Sequence, residues 1–118
     1  MSNLFQIHSL SSEGTQISAQ LVLQRDHEIF RGHFPSQALV PGVCMVEIMR
    51  EIISEHFQKP YYLQSASIIK FLGMILPDEV GPLRMDINLL PQEAGCEARA
   101  ILVAGERICF KFQGLLHV

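Results

Sequence analysis

The sequence carries little charge, and that charge is not concentrated anywhere along the chain. Charged residues make up 18% of the 118 residues, and 9 Lys and Arg against 12 Asp and Glu leave a formal net charge of −3. A nucleic-acid-binding domain needs a basic stripe that neutralises phosphates. The charge pattern therefore argues against nucleic acid as a partner.

Long apolar runs are absent from the sequence as well. No stretch approaches the roughly 18–20 apolar residues that a membrane-spanning helix requires. The N-terminal stretch "MSNLFQIHSLSSEG" has no basic segment followed by an apolar one, which a signal peptide would show. We therefore expect no membrane span and a cytoplasmic location.

Cysteine is scarce and scattered. Cys44, Cys96 and Cys109 form no C-x-x-C pair, which argues against a disulfide framework or a structural zinc site. His27 and His33 can be imagined as metal ligands together with Glu47, but their spacing matches no common metal-binding pattern. We expect three small core cysteines in a reducing compartment, and no metal or redox cofactor.

What the sequence does have is enough apolar residues for one core. Hydrophobic residues make up 48% of the chain, which suits a single domain over residues 1–118. Apolar and polar residues alternate with the period of half-buried strands. The pattern predicts strands over 4–10, 15–24, 61–72, 83–90, 96–103 and 107–116. Their inward sets are predicted to include Leu83, Met85, Ile87, Leu89, Cys96, Ala98, Ala100, Leu102, Ile108, Phe110 and Phe112.

One helix is predicted from about Gly42 to Phe57, after an irregular loop over 25–42. Apolar residues recur there at helical spacing, and Lys59-Pro60 ends the pattern. The predicted buried arc consists of Val43, Met45, Val46, Met49, Ile52, Ile53, His56 and Phe57. The element order indicates an α+β fold in which a curved antiparallel sheet wraps around one helix. Its open sheet edges favour a homodimer.

Two interpretations of Glu47 follow from the residues alone. Its neighbours on the helical wheel are Arg50, Glu51, Ser54 and Gln58, so it can simply begin a solvated stripe. It also borders apolar residues, a setting that raises a carboxyl pKa and allows proton donation at neutral pH. His33 precedes it in the loop, and most histidines in loops are surface or capping residues, so His33 by itself does not indicate catalysis.

The Pro41-Gly42 step between them marks a helix start. The first backbone N–H groups of a helix, here those of Gly42 and Val43, have no intrahelical acceptor. Proline suits this position, and glycine lets a ligand approach the backbone closely. A carbonyl oxygen placed there would receive hydrogen bonds and the positive end of the helix dipole.

The stretch "GHFPSQALVPGVCMVE" resembles the active-site segment of the hot-dog-fold 3-hydroxyacyl-[acyl-carrier-protein] dehydratases. That family has Gly-His-Phe-Pro, about five variable residues, then Pro-Gly-Val and an apolar run that ends in an acid. A weaker similarity follows in "IIKFLGMILPDE". The resemblance covers roughly residues 20–116 and implies a hot-dog fold. The matching positions are Gly32, His33, Phe34, Pro35, Pro41, Gly42, Val43 and Glu47.

The resemblance implies catalytic roles for two of these residues. His33 would remove the proton next to the thioester, and Glu47 would protonate the departing 3-hydroxyl directly or through water. The carbonyl of Leu39 would hold the other ring nitrogen of His33. In the family the histidine and the acid meet across a dimer interface, which agrees with the expected homodimer.

The resemblance also implies the binding groups and the partner. The Gly42 N–H would polarise the thioester carbonyl, and Val43, Leu39 and Phe34 would line the substrate site. The substrate would arrive on the phosphopantetheine arm of acyl carrier protein, an acidic partner. Arg31, Lys59 and Lys70 are the candidate basic residues near the predicted pocket mouth.

Some positions depart from the family pattern. Ser36, Gln37 and Ala38 replace a stiffer Gly-Asn-Pro or Gly-Asp-Pro, and Glu51 stands where the family usually has glutamine. A second carboxylate at that position would raise the pKa of the pair or require Arg50 as a counter-charge. Two other functions therefore stay open: a hot-dog thioesterase and a non-catalytic thioester-binding subunit.

Overall fold

The structure, a computed structural model, describes residues 5–23, 42–73 and 82–118. These residues form six strands and one helix. The predicted loop over 25–42 lies outside the described residues except for Gly42, as does most of the loop before the fourth strand. The elements are β1 Phe5–Glu13, β2 Gln16–Leu23, α1 Gly42–Phe57, β3 Tyr62–Phe71, β4 Leu83–Gln92, β5 Gly95–Ala104 and β6 Arg107–His117.

The strands form one antiparallel sheet in the order β1-β2-β4-β5-β6-β3. Three tight hairpins connect neighbouring strands, and two of them turn at Gly14 and Gly105 with φ of 60° and 63°. Glycine favours this left-handed conformation because it has no Cβ. β3 follows α1 in the chain and pairs with β6. The two ends of the described sheet are therefore β1 and β3, which are its outer strands.

The core lies between α1 and one face of the sheet. The helix contributes Cys44, Met45, Ile48, Met49, Ile52 and Ile53. The sheet contributes the alternate residues of β4 and β5 that the sequence pattern predicted to point inward. The α+β class, the bounds of the helix and the order of the helix and strands along the chain are therefore confirmed. Within the described ranges, no helix has the length and apolar character needed to cross a bilayer.

Two details of the predicted core were wrong. The buried arc of α1 is rotated by about one position, so Val43 is 58% and Phe57 is 37% exposed, whereas Cys44 and Ile48 are buried. The apolar residues indicate how much of the helix surface is buried, but contact with the sheet determines which residues lie at the centre of the buried side. Ile108 is also exposed, because the register of β5 and β6 shifts at Leu102 and Val103. Such a bulge interrupts strict alternation and places Cys109 inside.

Replacing Ile52 tests this core. Ile52 is fully buried on the helix face that meets the sheet, so Ile52→Ala removes packed methyl groups and leaves a cavity. We expect the free energy of unfolding to fall by about 2–5 kcal/mol, measured by denaturant titration. Val22→Ala, at an exposed position on β2, is the control and should change it by less than about 0.5 kcal/mol. Equal losses in both variants would contradict the assigned core.

Candidate active site

Part of the predicted constellation lies on the first turns of α1. Gly42 begins the helix, the exposed Val43 follows it, and Glu47 is half-buried a little over one turn further on. The predicted base His33 lies outside the described residues. So do the other predicted loop positions Phe34, Leu39, Arg31, Ser36, Gln37 and Ala38.

The ring of Phe71, on the outer strand β3, lies close against the start of α1. A Cβ added at Gly42 would lie 2.8 Å from two ring atoms of Phe71, closer than carbon atoms pack. The Phe71 ring in turn stacks on Phe110, with 5.7 Å between ring centroids. Glycine at the helix start therefore lets β3 approach the end of the helix where the backbone N–H groups point outward.

Glu47 is held by a two-pronged ion pair. Arg50, three residues later on the same helix, donates from Nη2 to Glu47 Oε1 at 2.6 Å and from Nε to Glu47 Oε2 at 3.1 Å. This fork-to-carboxylate geometry is among the stronger hydrogen-bonding arrangements in proteins. Both carboxylate oxygens therefore have a fixed cationic partner.

Arg50 is itself fixed by the segment that leads into β3. Its Nη1 donates to the carbonyl of Tyr61 at 2.9 Å, and its guanidinium lies 5.8 Å from the ring centroid of Tyr62. The Tyr61 N–H donates to the hydroxyl of Ser54, which donates to the Arg50 carbonyl. These contacts connect the carboxylate on the helix to the beginning of the edge strand.

The pKa of Glu47 moves opposite to the sequence-based expectation. The hydrogen bonds from Arg50 lower the pKa of Glu47, and they outweigh the burial that raises it. The expectation of a raised pKa was wrong because it considered the apolar border and not the cation. Burial and the negative charge of Glu47 instead raise the pKa of Glu51, one turn later. Arg50 is thus the counter-charge anticipated from sequence, and it binds Glu47.

An open groove of about 890 Å³ runs beside this network, between the first residues of β1 and the polar side of α1. Arg50, Glu51 and Lys59 are among the charged residues that line it, and His8 lines it as well. Lys59, however, follows the far end of α1. A 16-residue helix is about 24 Å long, so Lys59 does not lie near Gly42. The predicted pocket also involves loop residues outside the described ranges, so the place of Lys59 near its mouth stays a prediction.

Lys70 does lie near that end, since it precedes Phe71, whose ring covers Gly42. It stands directly opposite Lys111 on β6, and both lysines border a shallow depression in the sheet that Arg99 also lines. Within the described ranges, no group of three or more histidine, cysteine and acidic side chains is arranged to hold a metal ion.

Sequence reasoning missed two contacts of this region. The ion pair of Glu47 with Arg50 is not one of them, because residues three apart on a helix are neighbours and their pairing can be expected from the sequence. Neither the Tyr61 carbonyl nor the Phe71 ring had such a signal, because both come from a strand whose position depends on the tertiary fold.

Comparison with known protein families identifies the group to which the chain is related. A family model described as ApeI-like, ApeI dehydratase, matches residues 9–99, which is most of the chain. The chain belongs to the ApeI-like dehydratase family. The matched region includes the helix start, Glu47 and Arg50.

Curated relatives of this ApeI-like protein carry a related name. The 3-hydroxyacyl-[acyl-carrier-protein] dehydratase FabZ of Oenococcus oeni is 27% identical over 103 residues, covering 81% of this chain and 74% of that protein. The FabZ of Clostridium acetobutylicum is 27% identical over 89 residues, covering 70% of this chain and 63% of that protein. The resemblance to 3-hydroxyacyl dehydratases inferred from the sequence is confirmed.

Solved structures confirm the fold. A chain of the dehydratase heterocomplex ApeI:P from Xenorhabdus doucetiae matches with a TM-score of 0.75 at 21% identity, covering 96% of this chain and 97% of that one. An uncharacterized protein from Erwinia carotovora subsp. atroseptica matches with a TM-score of 0.60 at 22% identity, covering 93% and 89%. The ApeI-like protein has a hot-dog fold, with its sheet packed around α1.

The close contact at Gly42 makes a testable prediction. Gly42→Ala forces the Phe71 ring to move. Because that ring is the far end of a side chain that is 53% exposed, we expect a cost at the low end of overpacking, about 1 kcal/mol. We expect a lower midpoint in thermal unfolding. In a Phe71→Ala background the same change should be neutral or stabilising, because alanine is the better helix former. An equal loss in both backgrounds would show that Phe71 is not what requires glycine there.

Proposed function

We propose that this protein is a dehydratase that removes water from 3-hydroxyacyl thioesters on acyl carrier protein and forms trans-2-enoyl thioesters. Membership of a dehydratase family carries the proposal, together with the retained spacing of His33, the Pro41-Gly42 step and Glu47. The relatives named FabZ support the carrier-bound substrate. The pathway is then fatty-acid synthesis or a related lipid or polyene synthesis.

Each proposed catalytic group meets one requirement of the elimination. The proton next to a thioester is weakly acidic, so a neutral His33 imidazole needs the carbonyl to be polarised at the same time. We assign this to the backbone N–H of Gly42, which begins α1, because a helix start carries the positive end of the dipole. Glu47 acts on the departing 3-hydroxyl, while Val43, Phe34 and Leu39 contact the substrate.

A second copy of the chain is proposed to complete the site. β3 is an outer strand, and every residue from Tyr62 to Phe71 is exposed in the isolated chain. An uncovered apolar edge of this length is a liability in a soluble protein, and pairing with the β3 of a second copy would cover it. The exposed apolar residues of this edge are Tyr62, Leu63, Ile68, Ile69, Phe71 and Leu72.

Such a dimer would bring the His33 loop of one subunit toward Glu47 of the other, as the family resemblance implies. Lys70 and Lys111, opposite each other on β3 and β6, are the described basic residues proposed to face acidic acyl carrier protein. A chain of the same fold occurs in the dehydratase heterocomplex ApeI:P, so a second chain of different sequence is the competing partner for the same edge.

One observation favours a second function. The ion pair with Arg50 occupies both oxygens of Glu47, as it would if Glu47 had only a structural role. The alternative is therefore a non-catalytic subunit that binds acyl thioesters. Turnover decides between the two functions, and release of free thiol would indicate a thioesterase instead.

The central test is an assay of purified protein against 3-hydroxyacyl thioesters of several chain lengths on acyl carrier protein, with water loss followed by mass spectrometry. His33→Ala should reduce kcat by roughly 10²–10⁴-fold, the usual contribution of a general base, and Glu47→Gln should reduce kcat as well. Glu55→Gln, on an exposed part of the same helix, is the control. Unchanged activity in both site variants would reject the proposed roles.

The proposed dimer is tested by introducing a negative charge on the outer strand β3. Ile69→Glu on β3 buries a carboxylate in the proposed interface, so we expect a shift from dimer to monomer in analytical ultracentrifugation and loss of activity with it. Leu90→Glu on β4 is the matched control, since Ile69 and Leu90 are 42% and 38% exposed. A dimer that survives Ile69→Glu unchanged would place the interface elsewhere.

A further inference from the structure

Arg50 makes more specific contacts than a solvated surface arginine would need. Its Nε and Nη2 bind the two oxygens of Glu47, its Nη1 binds the Tyr61 carbonyl, and its Cζ lies over the Tyr62 ring. The side chains of Arg50 and Glu47 are only 25% and 34% exposed. An arginine with five donors in a rigid plane can make these contacts together, whereas lysine cannot.

We propose that Arg50 is a positioning residue of the active site, which holds the Glu47 carboxylate ionised and in one orientation and ties it to the start of β3. The proposal rests on the dehydratase function proposed above and extends it. It assigns Glu47 the role of a hydrogen-bond acceptor for the 3-hydroxyl, because a carboxylate held by a cation is not a resting proton donor.

The elimination still balances with Glu47 ionised. His33 takes the proton from the carbon next to the thioester, and the electron pair of that C–H bond becomes the new double bond. The bond between the adjacent carbon and its hydroxyl breaks with its electrons on oxygen. The hydroxyl takes a proton from the His33 imidazolium and leaves as water, and neutral His33 is restored. Glu47 orients the hydroxyl throughout.

Other charged and titratable groups near Glu47 do not replace Arg50. Glu51 on the same helix adds negative charge, and Cys44 contributes a thiol whose pKa burial raises. Tyr62 approaches Arg50 from β3, while His8 and Lys59 line the groove beside Arg50. Among the described residues Arg50 is the cation in contact with Glu47, so removing its charge leaves the carboxylate beside Glu51.

The first test is the pH dependence of kcat/KM for dehydration in the wild type and in Arg50→Gln. With Glu47 ionised well below neutral pH, the acid limb of the wild type should follow one proton, that of His33. In Arg50→Gln the pKa of Glu47 rises, so the slope of the acid limb of kcat/KM should approach that expected for two ionisations. The rate at neutral pH should fall about tenfold, the lower end of the value of a hydrogen bond to a charged group.

The opposite result has a clear meaning. If protonated Glu47 donated the proton, loss of Arg50 would raise the protonated fraction, and the rate at neutral pH would increase. An increase, or an unchanged profile, overturns the proposal. Arg50→Lys keeps the charge without the fork, so it should keep the single-proton limb and lose kcat with KM unchanged. Wild-type kcat in that variant would also overturn it, including where Arg50→Gln does not fold.

A double-variant cycle separates positioning from general stability. If Arg50 acts through Glu47, then Arg50→Gln should change kcat no further in a Glu47→Gln background. A multiplied loss would indicate a merely structural role and overturn the proposal. Arg84→Gln is the matched control, because it breaks the ion pair of Arg84 with Asp86 on β4, and it should leave the pH profile unchanged.

Failure of the proposed function is recognised separately. Carboxyl NMR of Glu47 reports its titration without turnover, and its midpoint should rise in Arg50→Gln. If the wild type converts no thioester, the dehydratase function and the positioning role of Arg50 in it fall together, whatever the titration shows. If the wild type is active and neither the Glu47 titration nor the pH profile responds to Arg50→Gln, only the proposal about Arg50 is overturned.

Discussion

The packing of α1 against one face of the sheet is the constraint on which the rest of the arrangement depends. Six helix residues from Cys44 to Ile53 are buried against the sheet, and this contact leaves no freedom to turn the helix about its axis. The polar side of the helix, with Glu47 and Arg50, must then face away from the core. The same packing places the helix start at Gly42 under the ring of Phe71.

Much of this fold could be predicted from the sequence, because local patterns carried it. The alternation in β4 and β5 and the helical spacing from Gly42 to Phe57 each repeat over several residues. The wrong predictions concern residues whose burial depends on tertiary contacts as well as on the local pattern. Ile108 continues the alternation in sequence, yet the bulge opposite Leu102 turns it outward. Val43 belongs to the apolar arc by type, but the sheet meets the helix one position away.

The same distinction between local pattern and tertiary contact applies to the candidate site. The motif from His33 to Glu47 is contiguous in sequence, so the resemblance could assign its residues without a structure. The electrostatic state of Glu47 could not be assigned that way, because it depends on which carboxylate Arg50 binds. Two acids one turn apart compete for one cation, and the contact of Arg50 with the Tyr61 carbonyl favours the geometry that reaches Glu47. Glu51 is left with the cost of burial.

The position of β3 in the sheet also has a consequence for how the chain folds. β3 pairs with β6, from which two hairpin-forming strands separate it in sequence. Contacts between distant segments form late, because a long loop must close before they gain anything. Until β6 is in place, β3 has no partner within the described sheet, and its apolar side chains are open to other chains. The strand proposed to join two subunits is therefore also the one most exposed to misassembly during synthesis.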